Sequence, residues 1–136
     1  MTTIKSHYKG SLRMEATHVG SGVTITTDAP IDNHGKGESF SPTDLVAAAL
    51  GGCVLTIMGI ASQTHGFDID GTRLETTKIM TSDPRRIGEI VIDFYFPHDY
   101  DAKVRRILEA SANGCPVAKS LHPDLKQTFN FHYGQK

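Results

Sequence analysis

The apolar positions of "GEIVIDFYFPH" alternate, with Ile90, Ile92, Phe94 and Phe96 on one side and Val91, Asp93 and Tyr95 on the other. A period of two predicts a β-strand with one buried face. "GTRLETTKIMTS" lies just upstream, and Asp83-Pro84 and their neighbours supply turn residues, so the two segments are expected to form a hairpin. Near the N-terminus, "TIKSHYKGSLRMEATH" and "GVTITTDAP" carry β-branched and alternating residues around Gly-Ser-Gly, which predicts antiparallel strands. "IDNHGKGESF" is too rich in Asp, Asn and Gly for regular structure and reads as a loop.

The rhythm changes at "SPTDLVAAALGGCVLTIMGI". Ser41 is placed to cap a helix, Pro42 suits its first position, and Asp44 completes a capping box three residues after Ser41. The helix is expected to run to about His65-Gly66, where glycine offers a stop. Leu45, Val46, Leu50, Val54, Leu55, Ile57, Met58 and Ile60 occupy nearly its whole circumference. Such a helix is expected to lie at the centre of the molecule, surrounded by other structure. Farther on, Val104, Ile107, Leu108 and Ala112 fall at helical spacing, ending at Asn113-Gly114. Cys115-Pro116 opens a short helix, "CPVAKSLH", and "KQTFNFHYG" closes the chain as a strand. Strands, a long helix, more strands, helices and a last strand predict an α+β fold.

A chain of 136 residues is long enough to bury one core, and a single domain, 1–136, is expected. Fourteen basic residues balance fifteen acidic ones, so no basic stripe points to nucleic acid. "MTTIKSHYKG" lacks the apolar stretch of a secretory signal, which makes the cytoplasm the expected location. Leu45 to Ala61 is uncharged but sits at the lower edge of membrane-spanning length and contains three glycines, so a protein-buried helix is expected instead. The seven histidines show no paired spacing for a metal, and the glycines of "NHGKGESF" lack the Lys-Ser/Thr ending of a phosphate loop. Neither a metal nor a cofactor is expected.

Two cysteines remain. Cys53 follows two glycines in mid-helix, and Gly51 with Gly52 costs the helix about 2 kcal/mol relative to alanine. Close approach of another backbone, or of a small substrate, is the usual compensation. Cys115 falls at the expected N-cap of its own helix, where free N–H groups and the helix dipole favour a thiolate. Residue types alone leave two readings open: packed structural thiols and a two-cysteine redox cycle with no local C-x-x-C motif.

"SPTDLVAAALGGC" together with "NGCPVAKSL" resembles the OsmC/Ohr family of thiol-dependent hydroperoxide reductases. The resemblance implies curved antiparallel sheets packed around a long central helix, in an intertwined homodimer. It implies that Cys53 attacks a hydroperoxide, that Cys115 then closes a disulfide with it, and that a dithiol reductant, either a small molecule or a lipoyl-type protein, reopens that bond. The family activates its cysteine with an arginine held by a glutamate. Arg13 resembles the arginine of the Ohr branch, and Glu38 resembles the glutamate of the OsmC branch. The chain departs from both patterns: Thr43 follows Pro42 where the Ohr branch has glutamate, and the loop just before the helix lacks the arginine that the OsmC branch has there. The alternative implied by the resemblance is an OsmC-like domain that binds a small apolar ligand without turnover.

Overall fold

The computed structural model describes residues 1–135. It contains β1 (Ile4–Gly10), β2 (Arg13–His18), β3 (Thr24–Asp28), α1 (Pro42–His65), β4 (Arg73–Thr81), β5 (Arg86–Tyr95), α2 (Ala102–Ser111), α3 (Pro116–Ser120) and β6 (Lys126–His132). The architecture is α+β, as the order of patterns predicts. The chain forms two compact units, Met1–Val46 and Ala47–Lys136.

The first unit is built on the antiparallel sheet β1-β2-β3. Ser11 and Leu12 link β1 to β2 with φ of 57° and 63°, the left-handed pair that matches the twist of a hairpin. Leucine tolerates that conformation poorly, and the Tyr8 hydroxyl accepts a hydrogen bond from its amide at 3.1 Å. Arg13 therefore emerges from a constrained turn. The loop after β3 contains one turn of 3-10 helix at Ile31–Asn33, a short element the composition does not predict. Gly35 explains part of this loop's glycine content: a Cβ there would lie 1.8 Å from the Ala29 carbonyl oxygen. The loop ends in the expected capping box, in which the Ser41 amide donates to Asp44 Oδ2 and the Asp44 amide to Ser41 Oγ, both at 3.0 Å.

The second unit packs the greater part of α1 against the sheet β4-β5-β6. Ile90, Ile92, Phe94 and Phe96 are fully buried, as their alternation predicts, and Leu50, Val54 and Met58 of α1 join them with Leu108, Ala112 and Cys115. Gly51 permits the close approach: a Cβ on it would stand 3.0 Å from Leu74 Cδ1 and 3.7 Å from Ile92 Cδ1. Side chains of the sheet, rather than a second backbone, occupy that space. A Cβ on Gly52 would meet nothing within 4 Å.

Two expectations need correction. The sheet of the second unit is mixed, because β6 pairs with β5 in parallel. α2 and α3 lie between these strands in sequence, and a crossover of that length returns the chain in the same direction. In addition, α1 is not covered all round. Its buried residues form one stripe, Ala47, Leu50, Gly51, Val54, Met58 and Ser62, while Ala48, Ala49, Gly52, Thr56 and Ile60 are exposed. Apolar content on every face is legible in the sequence, but what covers each face is not. By length and composition α1 suffices to cross a membrane, yet its central stripe is built into the core of the second unit.

Candidate active site

Cys53 lies on α1, half-buried, one residue before the fully buried Val54. Cys115 comes to it from the far side of the second unit's sequence. Pro116 fills the first turn of α3, and Cys115, with extended backbone (φ −79°, ψ 142°), is the N-cap. Its Sγ accepts a hydrogen bond from the Ala118 amide at 3.2 Å. The two thiols are free, share one apolar cluster, and are near enough for Cys53 to act on the Cys115 thiol. The structure thus brings together two cysteines with sixty-one residues between them in the sequence.

The N-cap is where the sequence places it, but the electrostatic result is reversed. Burial pushes the Cys115 thiol up, against the pull of the Ala118 amide, and the contact with Cys53 adds to the rise. Complete desolvation disfavours the thiolate more than a helix of five residues can offset. Cys115 is accordingly a protonated thiol at neutral pH. Iodoacetamide at pH 7–8 should therefore alkylate Cys53 first, with Cys115 reacting only above the ordinary thiol range (about 8.5) or after unfolding. Peptide mass mapping across a pH series reads this order, and equal labelling of the two thiols at neutral pH would contradict it.

Arg13 and Glu38 meet in the first unit as an ion pair. A third residue, unmarked by sequence reasoning, completes the cluster. Asp28 stands opposite Arg13 in the β2-β3 register, and Arg13 Nη2 donates to its Oδ2 at 3.3 Å. The same oxygen accepts the Glu38 amide at 2.9 Å. That amide, and then the Arg13 charge, hold the Asp28 carboxyl below its usual range against the opposing effect of burial. Only the β2-β3 register could have revealed Asp28, since a lone aspartate before Ala-Pro carries no motif.

The first unit also has an apolar cleft of about 320 Å³, lined by Tyr8, Leu12, Met14, Thr27 and Pro30, with Arg13 on its wall. The cleft has room for a small organic molecule.

A family model for OsmC-like proteins matches residues 35–130. Among solved structures, the chain is similar to a Psychrobacter arcticus 273-4 protein provisionally assigned as an osmotic stress induced and detoxification response protein. The two share 50% identity over 97% of this chain and 96% of that one, with a TM-score of 0.94. The fold is also that of an organic hydroperoxide resistance protein OsmC from Legionella pneumophila, at 12% identity over 97% and 96% of the chains and a TM-score of 0.76. The organic hydroperoxide resistance protein OhrB of Bacillus subtilis shares it at 16% identity, 96% and 98% coverage and a TM-score of 0.71. No curated protein matches the chain.

Proposed function

This chain belongs to the OsmC-like protein family, and on that premise we propose that it is a cysteine-based peroxidase that reduces organic hydroperoxides. The observation that carries the reading is the convergence, in one apolar cluster, of a half-buried thiol on α1 and a buried thiol on the N-cap of α3. The hydroperoxide resistance named for two relatives of the same fold supports it.

In the proposed cycle the Cys53 thiolate attacks the distal oxygen of the hydroperoxide. An S–O bond forms, the O–O bond breaks, and the alkoxide takes up a proton and leaves as the alcohol. Cys53 becomes a sulfenic acid. The Cys115 sulfur attacks it, a disulfide forms, and water departs with the Cys115 proton. A dithiol reductant restores both thiols by exchange and is itself oxidised to a disulfide. Hydrogen peroxide would follow the same course, with water as the first product. Arg13 is proposed as the cation that favours the Cys53 thiolate, with Glu38 as its partner. The proposed setting is the cytoplasm, whose reductants keep such thiols reduced.

The working form is proposed to be a homodimer in which the whole chain acts as one functional domain. A unit of 46 residues is too small to bury much apolar surface alone. Ile4, Tyr8 and Ile25 are exposed on its sheet, and α1 has an open face. Light scattering should return twice the 14.8 kDa chain mass; a monomer at micromolar concentration would contradict the dimer.

The apolar cleft favours the second reading, a domain that binds a small apolar ligand without turnover. Catalysis separates the two. With dithiothreitol as reductant, the protein should consume cumene hydroperoxide well above the rate of the reductant alone, and no acceleration would sink the peroxidase reading.

A further inference from the structure

We propose that Asp28 is the residue that positions the Arg13 guanidinium, with Glu38 a secondary partner. The proposal rests on the peroxidase reading for the purpose of that guanidinium, but its geometry stands apart from it. The two carboxylates beside Arg13 differ in their surroundings. Glu38 is 60% exposed, and an ion pair so open to water holds a side chain weakly. The Asp28 side chain is 1% exposed, where charge interactions are stronger and geometry is fixed.

Asp28 is also the better anchored of the two. Its backbone lies in β3, directly across from Arg13. Its amide donates to the Phe40 carbonyl at 3.0 Å, and its Oδ2 receives the Glu38 amide. Asp28 therefore orients Arg13 directly, and it also fixes the backbone from which Glu38 reaches the same guanidinium. Loss of Asp28 would loosen both contacts.

The fit between Arg13 and Asp28 has further capacity. Arg13 Nε and Asp28 Oδ1 are buried and make no hydrogen bond with the described residues. They are the donor and acceptor that a two-point guanidinium–carboxylate fork uses. The Asp28 charge is also the largest single influence holding Arg13 in its charged form, ahead of the hydrogen bond that Arg13 donates to Glu38.

The test uses the full chain in a Cys115→Ser background, so that oxidation of Cys53 is read alone. Two quantities are measured: the rate constant for oxidation by cumene hydroperoxide, and the pH midpoint of Cys53 alkylation, which needs no peroxide. Arg13→Ala should slow oxidation about tenfold and raise the midpoint by about one pH unit. Asp28→Asn should approach both values, while Glu38→Gln changes each by less. In the Arg13→Ala/Asp28→Asn double variant the effects should not add, because Asp28 acts through Arg13.

If Asp28→Asn behaves as wild type while Arg13→Ala is impaired, or if the two losses multiply, the proposal is overturned. An Arg13→Ala variant with an unchanged midpoint would remove Arg13 as the activating cation, and the role of Asp28 with it. A wild-type chain inert to peroxide, whose midpoint still shifts in Asp28→Asn, would retain the positioning role and discard the peroxidase. Should Asp28→Asn not fold, Asp28→Glu keeps the charge and moves it by one methylene. The same cycle should then give a smaller, still non-additive, loss.

Discussion

Cys53→Ser is expected to bring hydroperoxide consumption down to the rate of the reductant alone, a loss of roughly a thousandfold or more, as for removal of a catalytic nucleophile. The fold should survive the change. Cys53 is half-buried on a helix whose packing is carried by Leu50, Val54 and Met58, and serine is close to cysteine in size. Loss of turnover with an unchanged circular dichroism spectrum would therefore isolate the nucleophile. Retained turnover in this variant would place the chemistry elsewhere.

Cys115→Ser is expected to have a different signature. Serine is among the preferred N-cap residues, so the Ala118 amide keeps an acceptor and α3 keeps its start. What is lost is the second sulfur. One equivalent of alcohol per chain should appear at the wild-type rate as Cys53 is oxidised, and later turnovers should slow by roughly tenfold or more. The reason is that an external thiol must replace one held in contact at high effective concentration. Rapid-quench measurement of alcohol release separates the first turnover from the rest. If both phases match wild type, Cys115 has no part in recycling.

The parts of this molecule that were legible in the sequence are those set by local chemistry. The Ser41–Asp44 capping box, the Ile90-to-Phe96 alternation and the cap at Cys115 each depend on residues within a few positions of one another. The contact of Cys53 with Cys115 is not of that kind. Spacing and residue type leave packed thiols and reactive thiols equally open, and the pairing enters the sequence reading only through resemblance to a family. The elevation of the Cys115 thiol is not legible in the sequence, because the cap is visible in "GCPV" whereas the desolvation depends on Phe94, Leu108 and other distant members of the core. Asp28 went unmarked because its meaning depends on which residue it faces across the sheet. The parallel placement of β6 likewise depends on where two intervening helices return the chain. The open face of α1 depends on what covers it.

The central claim is that Cys53 and Cys115 form one redox pair. Its most direct test is peptide mass analysis under non-reducing conditions after one equivalent of cumene hydroperoxide. The account predicts a chain lighter by two hydrogens and a cross-linked peptide joining Cys53 to Cys115, both reversed by dithiothreitol. Full recovery of two free thiols, or oxidation that stops at a sulfinic acid on Cys53 with Cys115 untouched, would contradict it.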